Sequence, residues 1–339
     1  MIQADIKNFT LEEIENILIK TGEKPYRAKQ IFHWLYQKGS LSFKEMSDIS
    51  EKTRNELEQN FHISFPLIHS VFTSIDGTKK FVFKLQDNNF IETVLIPSHD
   101  RNTICISTQV GCKYGCKFCA SGKRFIRDLT SAEMINQVIY PLFSLKTQIN
   151  NIVVMGMGEP FDNFNNLIKF IKILNSKYGI NIGARKIVVS TCGIIPGIKQ
   201  FSKIGLQVRL SISFHATNNK IRNLLMPVNK KYPLEALIKT CQDYIQNTGR
   251  QITIEYILIK NINDTIDDAI KLSHIAKQLK ASINLIPYQH IQGKEMYAPT
   301  KESIKKFTDI ILNNHVRFTI RNSKGSEIQA ACGQLAGKL

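Results

Sequence analysis

The segment TICISTQVGCKYGCKFC, residues 103–119, joins a β-branched apolar run to three cysteines, Cys112, Cys116 and Cys119, spaced C-x3-C-x2-C. TICIST has the texture of a buried strand. Five runs of the same kind follow: NIVVMGM (151–157), KIVVST (186–191), VRLSISF (208–214), ITIEYILI (252–259) and SINLIPY (282–288), each trailed by a helical stretch. Six strand–helix units in succession predict an α/β fold whose parallel sheet is covered by helices. Six is short of the eight that close a full barrel, so the expected architecture is a partial (β/α)6 barrel over residues 99–322. Chemistry in such folds gathers at the carboxyl ends of the strands, which puts the cysteine loop on the active rim.

Upstream, the period changes twice. Residues 11–60 repeat apolar positions at helical spacing, broken by Gly22, Pro25 and Gly39, and predict a small helical domain over 1–68. Within it KPYRAKQIFHWLYQK (24–38) interleaves cations with aromatics, a composition suited to phosphate contact and stacking as well as to a small core. From about residue 70 the period is two. VFTSIDGTKKFVFKL reads as a hairpin turning at Asp76-Gly77, and NFIETVLIP as a third strand stopped by Pro97, giving a β extension over 69–98. Residues 323–339 form a short tail.

Lysine and arginine exceed the acids by 17, which favours a polyanionic partner such as RNA. The amino terminus lacks a basic patch followed by an apolar core. No segment reaches the 18 apolar residues of a membrane span, so the expectation is a cytoplasmic protein that does not enter the membrane. In a reducing compartment clustered cysteines read as metal ligands or catalytic thiols before disulfides.

A structural zinc site would need a further Cys or His pair at ligand spacing, and none accompanies Cys112, Cys116 and Cys119. Three thiolates suit a [4Fe–4S] cube with one iron left open to a small molecule, though zinc or a plain electron carrier is not eliminated by spacing alone. Phe118 stands where it can keep water from such a cluster. GMGEP after the second run lacks the third glycine of a dinucleotide loop. Gly156 and Gly158 would let a ligand approach the backbone, and Glu159 could accept a hydrogen bond from its ammonium. Ser190, Ser213, Phe214 and His215 fall at the ends of the third and fourth runs, where ligand contacts are placed.

Cys112, Cys116, Phe118 and Cys119, together with GMGEP, resemble the signature of radical S-adenosylmethionine (SAM) enzymes. Adding Cys105, Glu92 in FIETVLIP and Cys332 in IQAACGQLAG, the chain resembles the RlmN-type dual-specificity RNA adenine-C2 methyltransferases over nearly its whole length. The resemblance implies one [4Fe–4S] cluster on Cys112, Cys116 and Cys119. It also implies two SAM per turnover, with Gly158, Glu159, Ser190, Ser213, Phe214, His215 and Gln289 as SAM contacts. Gln289 stands where many such enzymes carry Asn, so that contact is expected with shifted geometry.

In the implied ping-pong scheme Cys332 takes a methyl from one SAM. A 5′-deoxyadenosyl radical made from a second removes a hydrogen from it, and the carbon adds to adenine C2. Glu92 then accepts the C2 proton and Cys105 resolves the adduct through a transient Cys105–Cys332 disulfide. Gly325, Gly333 and Gly337 would give the tail its mobility. The implied substrates are an adenosine of 23S ribosomal RNA at the peptidyl-transferase centre and the adenosine 3′ of the anticodon in some transfer RNAs, with flavodoxin or ferredoxin as electron donor and the chain acting as a monomer. RNA is expected to dock on a basic rim of Lys113, Lys117, Lys123, Arg124 and Arg127. The competing readings are a sister class that methylates adenosine C8, a non-catalytic iron–sulfur RNA-binding module, and a radical SAM activase acting on protein.

Overall fold

The computed structural model describes residues 3–291, 293–321 and 324–336, apart from the side chain of Lys123. Its first strand, β1 (Ala4–Asp5), pairs in parallel with β2 (Phe61–His62) and ties together the ends of a helical unit. Between them lie α1 (Leu11–Lys20), α2 (Arg27–His33) and α3 (Glu51–Asn60). α1 begins where Thr10 and Glu13 close a reciprocal capping box. α2 runs on through one π-helical turn to Gly39, whose φ of 69° supplies the left-handed stop. Ile31, Phe32, Leu35 and Tyr36 are buried, so most of the aromatics in 24–38 serve the core. Trp34 is held by a 2.6 Å bond to Asp48 and lies under the Lys38 ammonium.

The sheet that follows has ten strands. β3 (Leu67–Thr73), β4 (Lys79–Lys84) and β5 (Phe90–Ser98) form an antiparallel meander with its first turn at Gly77, and β5 pairs antiparallel with β6 (Arg101–Cys105). The β extension is therefore one wall with the barrel. A ribbon of β7 (Gln109–Gly111) and β8 (Phe125–Asp128) brackets the cysteine loop and leads into α4 (Ser131–Ile139). The chain then alternates through β9 (Asn151–Val154), α5 (Phe164–Asn175), β10 (Ile187–Thr191), α6 (Ile195–Phe201), β11 (Arg209–Ser213), α7 (Asn219–Leu225) and α8 (Leu234–Thr248). It continues through β12 (Ile252–Leu258), α9 (Ile266–Gln278), β13 (Ser282–Pro287), α10 (Lys301–Asn313) and β14 (Phe318–Ile320).

The six strands read from the sequence are β6 and β9 to β13, parallel and in chain order. A seventh parallel strand, β14, extends the edge beyond them. It is three residues long and mostly exposed, so no apolar run marks it. The sheet has two open edges, β14 and β3, and the barrel is partial as expected.

Along the parallel strands the residues alternate. Ile104, Ile152, Val189 and Ile212 are fully buried, while Thr103, Val153, Val188 and Ser190 are half-buried and line the barrel interior. The helical unit docks on α4 and α5. Lys7, desolvated so that its pKa falls to about 8, donates to Asn136 at 2.6 Å and to the Ser64 carbonyl. Lys169 pairs with Glu13 at 2.7 Å. Among the described residues no helix is long and apolar enough to cross a membrane.

The meander locks to the helix layer through Phe81, fully buried with ring centroids of Phe83 and Tyr140 at 6.3 and 5.4 Å. Phe81→Ala is expected to lower the unfolding free energy by about 3–5 kcal/mol in urea denaturation. A loss under about 1 kcal/mol would show that this contact does not hold the wall.

Candidate active site

The cysteine loop leaves the barrel at the carboxyl end of β6, and its conformation is fixed from several sides. The Gly333 carbonyl accepts from Ala120 N–H at 2.7 Å, and Lys117 N–H donates to the Leu225 carbonyl. The Lys294 ammonium donates to the carbonyls of Cys116, Lys117 and Cys119. Cys112, Cys116 and Cys119 line one cleft together with Gly156, Gly158 and Glu159, and Cys332 enters the same cleft from the tail. Ser190, Ser213 and His215 also face it.

Two glycines are dictated by close approach. A Cβ on Gly156 would lie 2.7 Å from the Ile106 carbonyl oxygen. One on Gly158, at φ 100°, would lie 2.5 Å from Gln109. Glu159 is buried, and desolvation raises its pKa. Its oxygens accept from the backbone N–H groups of Phe161 (3.0 Å) and Cys192 (2.7 Å). Its first role is thus to clamp the loops after β9 and β10, and the remaining carboxylate lone pairs face the cleft where an ammonium would sit.

His215 has φ 55°, its Nδ1 accepts from Ile257 N–H at 3.0 Å, and its ring meets Phe118 edge-on at 4.7 Å. Burial, then the Arg222 charge, hold its pKa down to about 3, so the ring is neutral. Phe214 is fully buried beneath the cleft rather than lining it. Gln289 is half-buried, donates to the Pro287 carbonyl at 3.3 Å and does not reach the cleft. The extra methylene of Gln, relative to Asn, lets its amide fold back on its own strand end.

Cys105 closes β6, buried, and its thiol is pushed up to about 12 by desolvation and then by the Cys332 sulfur. Cys332 is exposed to the cleft, yet its crowded surroundings desolvate the thiol and raise it to about 11, against the pull of Arg321. All seven cysteines are free. Glu92, on β5, lies one strand across and two residues along from Cys105, because Val94 pairs with Cys105. That diagonal relation puts their Cβ atoms about 7 Å apart on one face. Glu92 pairs with Lys80 at 3.4 Å and accepts from Ala336 N–H at 2.7 Å, so the tail covers it. Gly337, and the side chain of Lys123, lie outside the described residues.

Sequence reasoning missed Arg222. It is fully buried and donates to the carbonyls of Cys192, Ser213, Phe214 and Tyr232 and to Asn229, with no carboxylate partner among the described residues. A buried cation with only neutral acceptors needs an anion nearby. Three thiolates holding a cluster supply one, and Cys116 is within its electrostatic reach. Among the described residues no three His, Cys, Asp or Glu side chains converge as the ligands of a single ion. Cys112, Cys116 and Cys119 line one cleft, and three thiolate donors suit a cube in which each would bind a separate iron. The expected basic rim is partly neutralised, since Arg127 pairs with Asp87 and Glu133 and Lys113 with Asp162.

Comparison with known proteins agrees with this geometry. The profile of the radical SAM superfamily matches residues 106–273, and that of the ribosomal RNA large subunit methyltransferase N-terminal domain matches residues 4–63. The chain is 43% identical to a probable dual-specificity RNA methyltransferase RlmN of Clostridium novyi, across 98% of this chain and 97% of that protein. It is 43% identical to the dual-specificity RNA methyltransferase RlmN of Geotalea uraniireducens, across 100% and 98%. A radical SAM methyltransferase structure from Sphaerobacter thermophilus superposes with a TM-score of 0.92 at 37% identity, covering 99% of this chain and 100% of that one.

His215 yields a pH prediction. Its folded pKa lies below the unfolded value of about 6.5. Its neutral form therefore stabilises the fold above pH 6.5, and that contribution is lost as pH falls from 6.5 towards 3. The slope of unfolding free energy against pH in this window is expected to be flatter by about one proton in His215→Gln. Identical slopes in mutant and wild type would show that His215 is protonated in the fold.

Proposed function

Because the chain belongs to the RlmN family of dual-specificity RNA methyltransferases, within the radical SAM superfamily, we propose that it methylates C2 of an adenosine in 23S ribosomal RNA and of the adenosine 3′ of the anticodon in some transfer RNAs. The observation that carries this is the tail. Cys332 stands in the same cleft as Cys112, Cys116 and Cys119, with Cys105 in electrostatic contact with it. An enzyme that only cleaves SAM has no use for two further thiols there.

A radical SAM protein works with a [4Fe–4S] cluster and SAM. Cys112, Cys116 and Cys119 would hold the cluster, and the Gly156–Glu159 loop with Ser190, Ser213 and His215 would hold SAM. When reduced, the bound pair supplies a primary carbon radical able to remove a hydrogen atom. Cys332 acts first: its thiolate attacks the sulfonium methyl, an S–C bond forms, and S-adenosylhomocysteine leaves.

Adenine C2 is an electron-poor amidine carbon and cannot attack a methyl sulfonium itself. The Cys332 methyl, after losing one hydrogen atom, adds to it as a carbon radical. The adduct would return one electron to the oxidised iron–sulfur cluster, and Glu92 takes the C2 proton. Cys105 then attacks the Cys332 sulfur to form the disulfide. The carbon leaves with the bonding pair and takes up a proton to become the methyl group. Burial holds the Cys332 thiol up at about 11, and Arg321 offsets part of that rise, in the direction of the thiolate this sequence begins from.

The helical unit would add RNA contacts, and an electron carrier of the flavodoxin or ferredoxin type would reduce the cluster. A reducing cytoplasm keeps the thiols free, and the chain would work as a monomer.

The test is anaerobic turnover with SAM, reductant and an RNA carrying the target adenosine. Cys105→Ala is expected to accumulate a covalent protein–RNA adduct, Cys332→Ala to form none, and the wild type to release RNA whose nucleoside mass spectrum contains 2-methyladenosine. Free, unmodified RNA from Cys105→Ala with an intact cluster would refute the assignment, and 8-methyladenosine from the wild type would move the enzyme to the sister class.

A further inference from the structure

The cleft that holds the thiols is capped on its outer side by the tail. Gly333 is bonded to Ala120, the Ser121 hydroxyl donates to the Leu335 carbonyl, and Ala336 N–H donates to Glu92. With SAM in that cleft, a nucleotide has to reach Cys332 from elsewhere. A second cavity, of about 460 Å³, meets the first at Cys332 and Ile286, which line both. It occupies the barrel interior towards the amino-terminal ends of the strands, between Thr103, Val153 and Val188.

Its rim is basic. Arg101 opens β6, Arg185 and Lys186 immediately precede β10, and Arg209 opens β11; all four are exposed. Arg321 and Lys324 flank the cavity deeper in, half-buried. Among the described residues no acidic side chain lines this cavity, and none of the four rim cations is in an ion pair. The contrast with the cysteine-loop side, where Arg127 and Lys113 are neutralised, is one of position rather than composition. Four cations without an ion-pair partner among the described residues, around a hole that ends on a thiol, suit a run of phosphates.

Resting on the methyltransferase reading above, we propose that RNA enters this enzyme from the amino-terminal end of the barrel strands, opposite the cysteine loop. Its phosphates lie on Arg101, Arg185, Lys186 and Arg209, and the target adenosine is extruded down the barrel interior to Cys332. Arg101 stands four residues before Cys105 on β6. At about 3.3 Å per residue, the rim is about 13 Å from the level of the resolving thiol. An extruded nucleotide and an arginine arm together span that gap. A duplex cannot enter such a hole, so the geometry selects a loop base flipped out of its stack.

The test is binding of a transfer RNA anticodon stem-loop to cluster-loaded protein, measured by fluorescence anisotropy across a salt series. R101Q/R185Q/K186Q/R209Q is expected to bind more than tenfold more weakly at 0.1 M salt. Its slope of log K against log salt is expected to be shallower by about 3, at roughly 0.7–0.9 per phosphate contact. A variant with the same charge loss on outer helices, K199Q/K203Q/K301Q/K305Q, is expected to bind within twofold of wild type. If the fourfold rim variant loads no iron, the pair K186Q/R209Q is expected to give about half the slope change. Wild-type affinity and slope in the rim variants, or an equal loss in the outer-helix variant, would overturn the route while leaving the methyltransferase reading intact if Cys105→Ala still traps RNA. Absence of both wild-type binding and the trapped adduct would overturn both.

Discussion

The folding of the tail back over the barrel mouth is the constraint on which the rest depends. Among the hydrogen bonds that fix it are Ala120 to Gly333, Ser121 to Leu335, Ala336 to Glu92 and Gln334 to the His290 carbonyl. They place one thiol, Cys332, where two cavities meet. On one side are the cluster cysteines and the glycine-rich loop; on the other is a basic opening. A methyl carrier must visit both a donor and an acceptor, and a thiol at the neck can do so with small movements of a short segment.

Around this neck the protein holds charges that only make sense as a set. Arg222 is a buried cation with neutral acceptors, Glu159 a buried carboxylate spent on backbone N–H groups, and Lys80 with Glu92 a buried pair under the tail. Each alone is costly to bury. Together they place positive charge beside the cysteine loop, negative charge beside the proposed ammonium site, and Glu92, the proposed proton acceptor, on the same sheet face as Cys105. His215, kept neutral, packs against Phe118 and adds no charge to the cleft.

Much of this arrangement is legible in the sequence, for a physical reason. Strands buried on both faces must be apolar runs, so β6 and β9 to β13 announce themselves, and the loop after a strand end is where ligands gather. Gly156 and Gly158 are legible because a Cβ would strike β6 or Gln109. What escapes reading is set by tertiary contact alone. β14 is three residues long and mostly exposed; Arg222 and Lys294 look like surface cations until the fold buries one and cradles the other. The polar residue after the sixth strand, Gln289, turns back on Pro287 instead of reaching the cleft. The basic rim at the amino-terminal ends draws cations from β6, from the segment just before β10 and from β11, far apart in the chain, whereas in the obvious cluster at 113–127 Arg127 is paired with Asp87 and Glu133 and Lys113 with Asp162.

The most direct measurement of the central claim is peptide mass spectrometry of the chain after anaerobic cluster loading and incubation with SAM. The account predicts one methyl group, on Cys332, in wild type and in Cys105→Ala. A fully loaded cluster with Cys332 unmethylated, or a methyl on another cysteine, would contradict it.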